Sequence, residues 1–199
     1  MATLKLTSDT LAVTPAGGEI EYNGQFFGAD SNNSRAQFER ITLETSKTAS
    51  GTSVDFTGIP AWVKKITVML NSVSLSGTSA PSFQLGTSGG IVATGYDAGG
   101  TSVSTATSST TNGASSTTLF PLATGAMSAA SLTSGFITFS NILGNTWVGS
   151  GTFWSSGAGR VHTCSGTITL SSALTQVRIT TLNGTDTYDA GSINILYEG

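Results

Sequence analysis

Charge is what this sequence has least of. Of 199 residues, 8 are Lys or Arg and 11 are Asp or Glu; that 10% compares with about 25% in an ordinary soluble domain. The eight cations are scattered, so no basic patch forms to hold nucleic acid. Cys164, the one cysteine, cannot staple the chain to itself. With the single histidine, His162, it supplies too few ligands for a zinc site. No stretch approaches the ~18 apolar residues of a membrane-spanning helix, so no membrane insertion is expected. Met1–Leu6 lacks the charged start and apolar core of a secretory signal. Straight-chain helix formers are scarce, which excludes a helical bundle or a coiled coil.

Small polar residues fill the space. Ser and Thr number 62 and Gly 25. Apolar residues still reach 38% and are patterned, so the chain is not globally disordered. A chain with so little charge fits an assembly better than a free monomer, which keeps itself soluble with surface charge.

Residues 1–45 read as an N-terminal arm. Lys5–Thr7 and Leu11–Val13 are short extended pieces, and Pro15–Gly18 is a turn cluster. Ile20 and Tyr22 alternate with carboxylates, and Asn23-Gly24 is a strong hairpin signal before Phe26 and Phe27. Those four apolar residues are the expected anchors of the arm. Arg35–Leu43 reads equally as a short helix or a strand. Ser46–Ser53 is a small-residue linker.

From residue 46 to 199 the pattern is that of an antiparallel β-sandwich, jelly-roll-like. Val54 and Phe56 alternate with polar residues, as do Ile66, Val68 and Leu70, then Phe83 and Leu85. Ile91–Thr94, Gly135–Phe139, Thr146–Val148, Thr167–Leu170 and Gln176–Thr180 are further strands, and Ile193, Ile195 and Tyr197 close the series. Turn signals recur roughly every 8–15 residues, the spacing of a sandwich. Trp62, Phe83, Phe136, Phe139 and Trp147 are the expected bulk of the core. Residues 97–118 are nearly all small and polar, and read as a long exposed loop.

Chemistry-bearing constellations are few. His162 and Cys164 share a strand face, which permits a Cys–His pair, but no oxyanion-hole signature accompanies them. Asp186 and Asp189 flank a turn; they are weak Ca²⁺ candidates, or simple acceptors of turn N–H groups. The Glu residues that would serve a glycosidase all lie in the arm apart from Glu198, the penultimate residue. Gly86–Gly90 has no following Lys or helix with which to bind phosphate. No cofactor and no catalytic residue are expected. Tyr96 and Asp97, at the base of the expected loop, and Trp154 in its Gly/Ser surroundings are the candidate contacts to a glycan or protein receptor.

Residues 51–69 (Gly51-Thr52-Ser53-Val54-Asp55-Phe56-Thr57-Gly58-Ile59-Pro60-Ala61-Trp62-Val63-Lys64-Lys65-Ile66-Thr67-Val68-Met69) resemble the opening of a β-rich domain of tailed-bacteriophage virion proteins. Arg178–Glu198 is similar to its closing segment, and Asn145–Val148 also fits. Thr14–Gly24 resembles a hairpin near the start of phage fibre and appendage proteins. The resemblance implies a non-enzymatic virion protein, assembled in the bacterial host cytoplasm. It implies a tail-fibre or tail-tip appendage in host adsorption, homotrimeric, bound to other virion proteins and to a host-surface glycan or protein. A head fibre or capsid decoration protein is the alternative, and a small polysaccharide depolymerase the second.

Overall fold

The computed structural model describes residues 10, 14, 17–23, 25–29, 31–32, 34–105, 111–122, 127–157 and 159–199. Lys5–Thr7 and Leu11–Val13 lie outside them. The chain divides into two compact units after Arg40. The first holds a three-stranded antiparallel sheet of β1 (Ile20–Tyr22), β2 (Phe26–Ala29) and β3 (Arg35–Gln37). Tyr22 pairs with Phe26, so the expected hairpin forms around a three-residue loop, 23–25, rather than a two-residue Asn-Gly turn. Arg35 of β3 donates to both oxygens of Glu21 of β1, at 2.6 and 3.1 Å, across the intervening β2. The ambiguous stretch Arg35–Leu43 is two short strands, β3 and β4 (Ile41–Leu43).

β4 belongs to the second unit, where it pairs with the last strand. That unit continues with β5 (Lys47–Thr48), β6 (Ser53–Thr57), β7 (Lys65–Leu75), β8 (Pro81–Thr87), β9 (Gly90–Ile91), β10 (Tyr96–Ser104) and β11 (Thr111–Ser116). It ends with β12 (Phe120–Pro121), β13 (Thr133–Leu143), β14 (Thr146–Ser155), β15 (Arg160–Thr169), β16 (Gln176–Thr181) and β17 (Tyr188–Glu198). The large sheet runs β11-β10-β15-β14-β13-β7-β17-β4, with β5 also on β17; the small sheet runs β12-β8-β16-β6, with β9 on β8.

The topology follows from that order. The four-strand group β4-β17-β7-β13 lies opposite β6-β16-β8-β12. From β5 to β8 the chain alternates between sheets, and from β12 to β17 it does so again around an insertion. This is the double Greek key of an eight-stranded jelly roll. Two insertions, β10–β11 and β14–β15, extend one sheet beyond it by four strands. At the join between β7 and β17 the register shifts, and Ser72 (φ 52°) meets Gly191 (φ 92°). A Cβ on Gly191 would sit 2.4 Å from the Ser72 carbonyl oxygen, so only glycine fits that bulge.

The core lies between the sheets. Ile66, Val68 and Leu70 of β7 face Phe83 and Leu85 of β8, all buried as their alternation requires. Phe83 packs against Phe139 and Phe153, and Phe120 against Phe139. Two expected core aromatics are misplaced. Phe136 is 56% exposed, because strand parity sends Ile137 and Phe139 inward and Phe136 outward. Trp62 is only partly buried and packs against the Tyr197 ring at 5.6 Å. Phe120 and Phe153 take their place.

The expected loop at 97–118 is also corrected. β10 and β11 form an antiparallel hairpin over most of it, and β10 pairs with β15 from Tyr96 to Ser104; residues 106–110 are outside the described set. Small side chains hid the strands, since alternation is invisible where both faces are small. The inward face must be small: a Cβ on Gly100 would lie 2.2 Å from the Pro121 carbonyl oxygen.

Candidate functional site

Tyr96 is not a surface contact. It is 3% exposed and lies edge-on to Phe120 at 5.4 Å. The Leu85 N–H donates to its hydroxyl oxygen at 2.9 Å, and its O–H donates to the Val92 carbonyl at 2.9 Å. The hydroxyl thereby partners backbone groups beyond the end of β12. Burial pushes the phenol up to about 12, against the opposing pull of the Leu85 hydrogen bond. Asp97, the next residue, points to the opposite face and is exposed. The two therefore cannot act as one contact. Phase was missing from the sequence: a run without apolar alternation does not say which of two neighbours turns inward.

His162 and Cys164 do share one face of β15, and that face is the buried one. His162 Nε2 lies 3.0 Å from Ser155 Oγ, which lies 2.8 Å from Thr133 Oγ1. Burial, reinforced by nearby Arg160, pulls the imidazole down to about 4. Burial pushes the thiol up to about 12. A neutral imidazole beside a protonated, enclosed thiol is a packing arrangement, not an activated nucleophile.

Asp186 follows the turn reading. Its oxygens accept from the Ser79 N–H and the Asn183 side-chain amide, both at 2.8 Å. The Asn183 bond first, then that to Ser79, holds its carboxyl below the usual range. This ties the β16–β17 turn to the β7–β8 turn. Asp189 accepts from the Ser74 hydroxyl. Among the described residues, no three His, Cys, Asp or Glu side chains group together as metal ligands.

The four anchor candidates divide by strand parity. Ile20, Tyr22 and Phe26 share a face of the small N-terminal sheet, and Phe27 is on the other. Ile20 is 68% exposed and Phe26 43%, while the Tyr22 and Phe26 rings lie 5.0 Å apart. A cavity of about 330 Å³ opens between Tyr22, Phe26, Phe38 and Arg40.

Trp154, 43% exposed, lies on the outward face of the large sheet. The register builds that face row by row. Val103, Val161 and Trp154 stand in one row across β10, β15 and β14. Thr101, Thr163, Thr152, Phe136 and Met69 form the next row, from β10 to β7. Beside the exposed apolar residues lies a groove of about 520 Å³. Glycines at 99 and 113 lower its floor, and Thr101, Ser150, Thr163 and Ser165 supply hydroxyls. Val103 and Val161 were not singled out from the sequence, and Phe136 was expected in the core rather than on this face. Their signal was present, as apolar residues at outward positions of otherwise polar strands.

Fold and face together define a double Greek-key β-sandwich whose enlarged sheet carries a nearly uncharged, hydroxyl-rich outer surface. Comparison with models of known protein families, with characterised proteins and with solved structures finds no match.

Proposed function

We propose that this chain is a non-enzymatic bacteriophage virion protein, a tail-fibre or tail-tip appendage that takes part in host adsorption. One observation carries the reading. The two segments that resemble the phage domain, 51–69 and 178–198, lie at opposite ends of the second unit and are partners in both sheets. β6 pairs with β16 in the small sheet and β7 with β17 in the large one. The resemblance thus falls on one structural module rather than on two unrelated stretches. In support, the outward face of the large sheet has hydroxyls, an indole and a groove, the groups that contact a neutral glycan. Asp97 and Trp154 remain the receptor contacts on this reading, without Tyr96. The arm with Ile20, Tyr22, Phe26 and Phe27 anchors the protein to other virion proteins, and the chain self-associates; the resemblance implies a trimer.

Immunogold electron microscopy of phage particles, with antibody against this chain, tests the reading. Label at the tail end is the expected result. Label over the head makes it a head fibre or decoration protein. Absence of label from every particle removes the virion reading, and assays for release of reducing sugar from host polysaccharide then test the depolymerase.

A further inference from the structure

We infer that the groove on the outward face of the large sheet binds an extended, uncharged polysaccharide, whose chain lies across β14, β15, β10 and β11. This rests on the reading of that face as the receptor surface, and names the chemical class of the receptor and the side chains that hold it.

The strand register builds the groove as a trough between two rows. Thr152, Thr163 and Thr101 form one bank, with Gly113 in the β11 place. Ser150, Ser165 and Ser115 form the other, with Gly99 in the β10 place. Two residues separate the banks along each strand, about 6.6 Å, and four strands carry the trough about 14 Å across the sheet. An extended pyranose chain advances by about one strand spacing per sugar, so consecutive sugars meet consecutive strands.

The hydroxyls of the trough are the ones the fold has not used. Elsewhere on this face Thr67 pairs with Thr138 at 3.3 Å, Thr146 with Thr169 at 3.0 Å, and Thr167 donates to the Trp147 carbonyl at 3.1 Å. Among the described residues, none accepts from or donates to the side-chain hydroxyls of Thr101, Ser115, Ser150, Thr152, Thr163 or Ser165. Each of the six can both give and take a hydrogen bond, as each hydroxyl of a sugar does.

Charge decides the class of ligand. Among the described residues that line the trough, none is charged. An ionic ligand would lose water there without meeting a counter-charge, and an apolar one would strip the hydroxyls of water and leave them unbonded. A neutral, hydroxyl-bearing chain incurs neither penalty. The flanks fit the same ligand. Trp154 is the next outward residue beyond Thr152 on β14 and offers an indole for a sugar face to stack on. Asp97 is the next outward residue beyond Gly99 on β10, where a carboxylate can accept from sugar hydroxyls over the gap the glycine leaves.

Calorimetric titration of the full chain with hexasaccharides tests this, with cellohexaose, xylohexaose, mannohexaose and N-acetylchitohexaose as neutral probes and hexagalacturonate as the anionic one. The expected result is binding of at least one neutral probe with a dissociation constant of about 1 mM or tighter. Thr163→Val keeps the shape and removes one hydroxyl, and should weaken binding about fivefold. A Cβ on Gly113 has one neighbour, the Gly100 carbonyl oxygen at 3.8 Å, an ordinary contact. Gly113→Val therefore fills the trough without straining the sheet, and should weaken binding at least about tenfold. Ser140→Ala, on the same face but outside the trough, should leave binding unchanged. Failure of every neutral probe to bind, or tighter binding of hexagalacturonate, overturns the proposal. Binding that survives both Thr163→Val and Gly113→Val overturns the trough as its seat. None of these outcomes changes where immunogold label falls, so the virion reading stands or fails separately.

Discussion

Arg178 and Asp55 face each other across β16 and β6, with Nε and Nη2 each 2.7 Å from a carboxylate oxygen. This two-pronged bond joins the closing segment of the second unit to its opening one. The Asp55 carboxylate holds the guanidinium above its ordinary pKa, chiefly through that hydrogen bond. Both side chains are about one-third exposed, so water screens the pair. Asp55→Ala should cost about 1 kcal/mol, read as a fall of about 2–4 °C in the melting temperature. A loss above ~3 kcal/mol would mean that the pair behaves as a buried one.

His162 makes stability depend on pH. Its folded pKa, about 4, lies below the ordinary 6.5 because burial disfavours the charged ring. Above pH 6.5 both folded and unfolded states hold it neutral. As pH falls through 6.5 the unfolded state takes up a proton first, and the fold is weakened until about pH 4, where the folded state protonates too. The total is roughly 3 kcal/mol. His162→Gln, which retains a partner for Ser155, should remove most of the decline between pH 6.5 and 4.5. Urea midpoints of the two proteins across that range check it; parallel curves would place the pH sensitivity elsewhere.

Tyr96→Phe keeps the ring and deletes the hydroxyl that serves Leu85 and Val92. Leaving those buried backbone groups unpartnered should cost about 1–3 kcal/mol. Asp97→Asn, one residue away on the outward face, should change stability by no more than about 0.5 kcal/mol. Thermal melts of the two variants decide whether strand parity is as described, and equal effects would refute it.

Truncation separates the arm from the sheet. Removing residues 1–40 spares β4 and Glu44, whose carboxylate accepts the Tyr197 hydroxyl at 2.6 Å. That bond raises the Tyr197 phenol to about 12. Removing residues 1–45 takes both away and bares the β17 edge where β4 pairs. The shorter truncation should melt near the intact chain. The longer should melt at least about 4 °C lower and aggregate more readily through the freed edge. Identical melting curves would show that β4 contributes nothing.

By itself, the sequence determined the class of fold and the strands whose alternation is written in large apolar residues. β7, β8 and β17 are legible because Ile66, Val68, Leu70, Phe83, Leu85, Ile193 and Ile195 must all leave water on one side. The hairpin at Tyr22–Phe26 is legible because Asn-Gly marks a reversal, though not its length, since the loop spans three residues rather than two. Asp186 was legible as a turn acceptor for the same local reason. What only the tertiary structure decided is phase and pairing. Ala98, Gly100 and Ser102 mark an inward face only because the backbone at Pro121 and Leu122 packs over it at close range. Tyr96 is inside and Asp97 outside by that decision, and Phe136 is outside because Ile137 and Phe139 have the inner places. The outward face that carries Trp154, Phe136 and the groove likewise exists only once β7 and β10 are set in register on either side of the β13-β14-β15 meander. Local chemistry specifies strands and turns, whereas a surface is a property of strands that long-range hydrogen bonding has aligned.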